Sequence, residues 1–232
     1  MTQRWRILCF GAHPDDLETY VGASLMELAR LGHELVFVLA SDGEAGTLQP
    51  ATGTRIDEQL AALSYFEQQT GQRPSLERLR RADAKLVDDC DLPRVCAAAV
   101  TAWDPDCVIA PSEGDAHADH RAVARALAGI DLPVLQWLDA AANGATHVLP
   151  LSSAAHELKR AWIRQHASQL PKPSASREHL PGGLDLVERI VLRDRRFGLR
   201  SGHDYAEPLR VEVSSAHALQ SVLDELGLQV CA

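Results

Sequence analysis

The chain has 232 residues, 46% hydrophobic and 24% charged, with a net charge of −9. That is enough for one α/β domain with a proper core, and the charge argues against the basic face that a nucleic acid or an anionic membrane requires. No apolar run reaches the ~20 residues of a transmembrane helix, and the N-terminus enters a strand with no signal-peptide core, so the expected location is the cytoplasm.

The first strand is expected over 5–10, an apolar run broken only by Arg6. A helix over 17–31 follows, with Val21, Leu25 and Leu28 on one face and Gly32 as its stop. Residues 34–40 form a continuous apolar run, as in a parallel strand buried on both faces, which completes a βαβ unit. After a loop over 41–46, rich in Gly and acids, Thr54 caps a helix over 55–69. The charged stretch 72–90 holds a short strand at 76–79, and 92–103 reads as a helix with Pro93 in its first turn. Strand 107–110 runs into a His- and Asp-rich loop, followed by a helix over 118–128. Strands at 133–138 and 146–149, an amphipathic helix over 152–168, a loop over 170–184 rich in Pro, Ser and Gly, a strand at 209–213 and a helix over 216–226 complete the chain. The whole is expected to be a single domain, 1–232, with a Rossmann-like three-layer α/β fold around a mostly parallel sheet. Residues 170–207 are expected as a lid or oligomer contact.

Two clusters carry chemistry: Gly11-Ala12-His13-Pro14-Asp15-Asp16 and His117-Ala118-Asp119-His120, each straight after a buried strand. Ligands of open α/β sheets bind at such strand ends, and packed carboxylates are costly to bury without a neutralising cation. His13, Asp16 and His120 suit a three-ligand zinc site that leaves positions open for water and substrate. Asp15, beside the metal and not bound to it, is placed as general base, and His117 as donor to the oxyanion and leaving group. Asp119 is then a carboxylate that orients one of the imidazoles. The five cysteines are scattered without a CxxC pair, and the first loop lacks GxGxxG, so neither a thiolate metal site nor a dinucleotide site is expected.

These two motifs resemble those of the PIG-L/LmbE-like deacetylases, zinc-dependent enzymes that remove the acetyl group from N-acetylglucosamine-type sugars. The spacing Asp15-Asp16-Leu17-Glu18 with Gly22 is similar to the branch of bacillithiol-pathway deacetylases. Three stretches extend the likeness: Arg55-Ile56-Asp57-Glu58, the segment 159–169 ending in His166-Ala167-Ser168-Gln169, and Gly198, Gly202 and Tyr205-Ala206-Glu207. The resemblance implies zinc, or ferrous iron, on His13, Asp16 and His120, with Asp15 as base and His117 on the oxyanion. It also implies an N-acetylated amino sugar or conjugate as substrate and a homo-oligomer, commonly a trimer or hexamer. Ala118, Ala23 and Phe197 depart from the family's usual Pro, Gly and Arg, which bears on substrate contacts more than on catalysis. Arg55 and Glu58 are candidates for substrate binding or for pairing with each other. Trp137 and Trp162 are candidates for sugar stacking but fit core packing better, and His166 and His203 are candidate pocket or structural residues. Specificity is expected from the loops at 43–54, 139–147 and 170–184. The alternatives are a metal-dependent amidase on a non-sugar conjugate, a phosphoesterase on the same site, or a non-enzymatic binding module.

Overall fold

The computed structural model describes residues 4–46, 54–139, 144–170, 183–211 and 213–231. Five strands form the parallel part of one sheet: β1 (Arg6–Gly11), β2 (Glu34–Ser41), β3 (Ser75–Arg81), β4 (Cys107–Pro111) and β5 (Val134–Trp137). Three more, β6 (His147–Leu151), β7 (Tyr205–Val211) and β8 (Gln229–Val230), extend it antiparallel, giving the order β3-β2-β1-β4-β5-β7-β6-β8. β1 lies between β2 and β4, parallel to both, so the winding reverses there and the crevice opens at the carboxyl ends of β1 and β4.

Side-chain alternation along the central strands builds two cores. Ile7, Cys9 and Phe37 face α1 (Asp16–Arg30), α2 (Thr54–Thr70), Trp162 of α5 (Ser153–Ile163) and α7 (Val213–Glu225). Leu8, Phe10, Val36 and Val38 face α3 (Leu92–Trp103) and α4 (Ala118–Ala126). Helices on both faces of a largely parallel sheet make the expected Rossmann-like three-layer architecture. Among the described residues, no helix is long and apolar enough to cross a membrane. All five cysteines are free, with Cys9, Cys96 and Cys107 buried.

The late strand, expected at 209–213, begins four residues earlier as β7, and two further expectations shift. The helix foreseen over 152–168 closes at Ile163: the amides of Gln165 and His166 bond the carbonyls three residues back, tightening the chain toward a 3₁₀ turn at Ala167–Gln169. A further helix, α6 (Leu186–Arg200), was not foreseen; it starts with a capping box in which Asp185 and Glu188 satisfy each other's amides. Of the stretch expected as lid or oligomer contact, 171–182 lies outside the described residues, and the remainder forms α6 and β7. The other expected loops, 43–54 and 139–147, are described only at their edges, 43–46, 54, 139 and 144–147.

α1 is kinked at Val21, whose φ of −134° is not helical. The amides of Ala23 and Ser24 turn instead to the Glu207 carboxylate of β7, at 2.9 and 2.8 Å. The Tyr20 carbonyl accepts from Arg193 Nη2 at 3.0 Å. A side chain that captures helix amides is a recognised cause of a kink. Glu207 also meets Lys159 Nζ at 2.7 Å, and that ammonium lies 2.9 Å from Asp194, all three fully buried.

Candidate active site

The loops after β1 and β4 meet in a cavity of about 340 Å³ lined by His13, Asp15, Asp16, His117 and His120, together with Tyr20, Arg55, Asp83 and Arg189. Asp16 Oδ2 accepts the amides of Ala12 and His13 at 2.8 and 2.9 Å, which turns the carboxylate back over its own loop. Its Oδ1 lies 3.2 Å from His120 Nε2, and its Oδ2 lies 3.6 Å from His13 Nδ1. Each imidazole has a carboxylate on its far nitrogen. His13 Nε2 lies 3.3 Å from Asp119 and 3.1 Å from Asp83, and His120 Nδ1 lies 3.0 Å from Asp115. Two imidazole nitrogens and one carboxylate thus converge, buried, with their orientation held from behind. That donor set fits a divalent cation of the zinc type. A ring nitrogen of His117 also comes within 4.8 Å of His13 and His120, and His13 forms a second such group with Asp83 and Asp119.

His117 caps α4 through its ring: Nδ1 accepts the Asp119 amide at 3.2 Å. Burial, and then the neighbouring His120 and His13, lower its pKa, so the ring is neutral. With Nδ1 used as acceptor, the proton sits on Nε2, and His117 is a hydrogen-bond donor.

The remaining titrations divide by charge. Burial would lower the pKa of His120, but Asp16 and Asp115 raise it to about 9. His13 is likewise raised, because Asp119, Asp16 and Asp83 outweigh burial. Burial pushes Asp16 upward, yet His120 and His13 hold it well below the ordinary carboxylate range. Against burial, His13 and the Ala45 and Ala84 amides bring Asp83 down to about 2. Asp15 goes the other way: its burial outweighs the attraction of Arg55 and raises its pKa.

Asp15, Asp16, His13, His117 and His120 therefore share one cavity, and Asp119 stands behind His13. Arg55 reaches the cavity but is engaged by Asp15 at 3.0 Å. Glu58 does not line it; its two oxygens accept from the Ser168 amide and hydroxyl at 2.7 and 2.6 Å. Trp137 and Trp162 are core residues whose indole N–H groups donate to Phe10 and Ala62 carbonyls. Trp137 nonetheless floors the site: Tyr20 stacks on it at 4.3 Å, and His120 meets it edge-on at 5.0 Å. His166 is buried against Glu18, whereas His203 bonds Gln229 outside the cavity. Sequence reasoning missed Asp83 and Tyr20 and gave Asp115 no role behind His120. Asp115 sits two residues before His117 and was legible as part of that cluster; Asp83 carried no local signal.

The family described as PIG-L, GlcNAc-PI de-N-acetylase, matches residues 8–130, just over half of the chain. No curated protein sequence matches it. Among solved structures, N,N'-diacetylchitobiose deacetylase from Pyrococcus horikoshii is 18% identical with a TM-score of 0.74, over 91% of this chain and 85% of that one. The conserved protein TT1542 from Thermus thermophilus is 23% identical with a TM-score of 0.72, over 90% and 95%. GalB, the 4-carboxy-2-hydroxymuconate hydratase from Pseudomonas putida, is 19% identical with a TM-score of 0.63, over 89% and 95%. At these identities the likeness is one of fold, and the fold carries more than one chemistry.

Proposed function

The chain belongs to the PIG-L family, and from that premise we propose that it is a single-domain, metal-dependent N-deacetylase that releases acetate from an N-acetylated amino sugar or sugar conjugate. The observation that carries the reading is the facing of His13 Nδ1 and His120 Nε2 onto Asp16, with each far nitrogen backed by a carboxylate. His13, Asp16 and His120 would hold zinc, or ferrous iron. When bound there, the cation supplies Lewis acidity toward the amide carbonyl and toward water.

The chain's own residues supply the proton handling. Asp15, with its pKa raised by burial, accepts a proton from the attacking water as the water oxygen bonds to the acetyl carbon. His117, neutral and protonated on Nε2, donates a hydrogen bond to the carbonyl oxygen as it gains charge. The C–N bond then breaks, and the nitrogen takes the proton held by Asp15 to leave as the free amine, with acetate as the other product. Asp119 and Asp115 keep the two imidazoles in register throughout.

Purified protein should carry about one zinc or iron per chain and release acetate from one or more N-acetylglucosamine derivatives in a chelator-sensitive way. Metal without acetate release from any such derivative would point to the amidase or phosphoesterase alternative. Absence of metal under every loading condition would sink the reading.

A further inference from the structure

Asp15 is the N-cap of α1 and stands at φ 90° and ψ −18°, a left-handed conformation unusual for a residue with a side chain. Such a conformation persists only where its surroundings over-determine it, and here they come from one face of α2. Arg55 Nη2 lies 3.0 Å from Asp15 Oδ2 and also donates to the carbonyl of Pro14. One turn later, Gln59 Oε1 accepts the Asp15 amide at 3.4 Å, and its Nε2 donates to buried Glu18 at 2.7 Å. Arg55 in turn occupies a slot in the loop after β2, where Nη1 donates to the Gly43 carbonyl at 3.2 Å. A methyl group on Gly43 would stand 2.7 Å from Nη1, and one on Gly46 would stand 2.8 Å from it. The slot exists only because both residues lack a side chain.

We infer that Arg55 is a positioning residue that holds the strained Asp15 in place and that the Gly43–Gly46 loop sets its aim. This deepens the reading of Asp15 as general base and rests on it. Arg55 meets Asp15 at Oδ2, and as general base the same carboxylate takes up a proton. Because an arginine does not deprotonate, it fixes the carboxylate without competing for that proton. A lysine carries the charge but not the fork that reaches Pro14, Asp15 and Gly43 together.

The test uses the full chain with Gly46→Ala, Arg55→Ala and Arg55→Lys. Gly46 is exposed and its φ lies outside the left-handed region, so alanine is compatible with folding there even if the Arg55 variants misfold. Two readouts are taken: kcat and KM for acetate release, and amide hydrogen exchange over 15–19. In Gly46→Ala and Arg55→Ala, kcat should fall by about 10²-fold, with KM changed by less than about 3-fold. Exchange over 15–19 should rise about 10-fold or more with metal content unchanged, and Arg55→Lys should recover only part of kcat. A rise in KM at constant kcat would make Arg55 a substrate contact and overturn the inference. Wild-type exchange over 15–19 in both Gly46→Ala and Arg55→Ala would overturn it whatever the activity. Failure of the wild type to release acetate would defeat the functional reading alone, because the exchange readout still decides the clamp.

Discussion

Asp15 and Asp16 are adjacent in sequence and opposite in chemistry, and their surroundings make them so. Asp16 faces two imidazoles and two backbone amides, which hold it ionised, whereas Asp15 is buried against one guanidinium and its pKa is raised. Asp15→Ala should therefore abolish acetate release while the metal stays bound, by kinetics and metal analysis on the same sample. His13→Ala or His120→Ala should lose the metal itself. The raised imidazoles make a second prediction. Without a cation, His13 and His120 are protonated at neutral pH, His120 with a pKa of about 9. Metal uptake at pH 7 should thus expel roughly two protons, visible in calorimetry as a binding enthalpy that depends on the ionisation enthalpy of the buffer. Weaker uptake should follow as pH falls. Equal enthalpies in phosphate and Tris would rule this out. The His and Asp pairs that compose this site were legible because they are crowded into two short motifs after buried strands. Asp83 was not, since only the placement of the chain beyond β3 brings it to His13 from a stretch that reads simply as charged.

Among elements, β2 and β4 declared themselves as apolar runs, β1 and β5 as runs with one polar residue each, Arg6 and Gln136, and β3 was caught despite its charge. α6 was missed because its apolar positions, Val187, Ile190 and Phe197, are spaced among five arginines that read as solvent-facing. One of those arginines, Arg193, is fully buried, where it bonds Asp194 and two backbone carbonyls. The capping box at Asp185 and Glu188 was the signal that could have revealed the helix. α6 meets β7 through Gly198, where a methyl group would stand 2.6 Å from the Tyr205 backbone. Gly198→Ala should destabilise the protein by about 1–3 kcal/mol in denaturant titration, the usual cost of overpacking. The buried ions nearby also tie α6 to pH. Burial raises Asp194, but Arg193 and Lys159 prevail and hold its pKa far below that of a free carboxyl. Its contribution to stability is therefore full above the unfolded value of about 4 and is lost as pH falls below that. The stability gap between wild type and Asp194→Asn should be wide at pH 7 and narrow steadily below about pH 4.

Taken as one molecule, the sheet has two halves. The family match ends at residue 130, and every residue of the proposed metal site and both proton-handling residues fall within it. The antiparallel half beyond looks dispensable for chemistry, yet Glu207 reaches back across the sheet to the kink of α1, the helix that begins with Asp16. A chain ending at residue 130 would leave the amides of Ala23 and Ser24 and the carbonyl of Tyr20 without the partners that Glu207 and Arg193 supply. Such a truncated chain should fail to give a cooperative unfolding transition or to retain stoichiometric metal. The bend in α1 thus sets what can be transplanted as a unit. An engineer who grafts the two histidine-bearing loops onto another scaffold would move the visible catalyst and leave behind the carboxylate that keeps its leading helix bent. In this chain the portable module is the whole sheet.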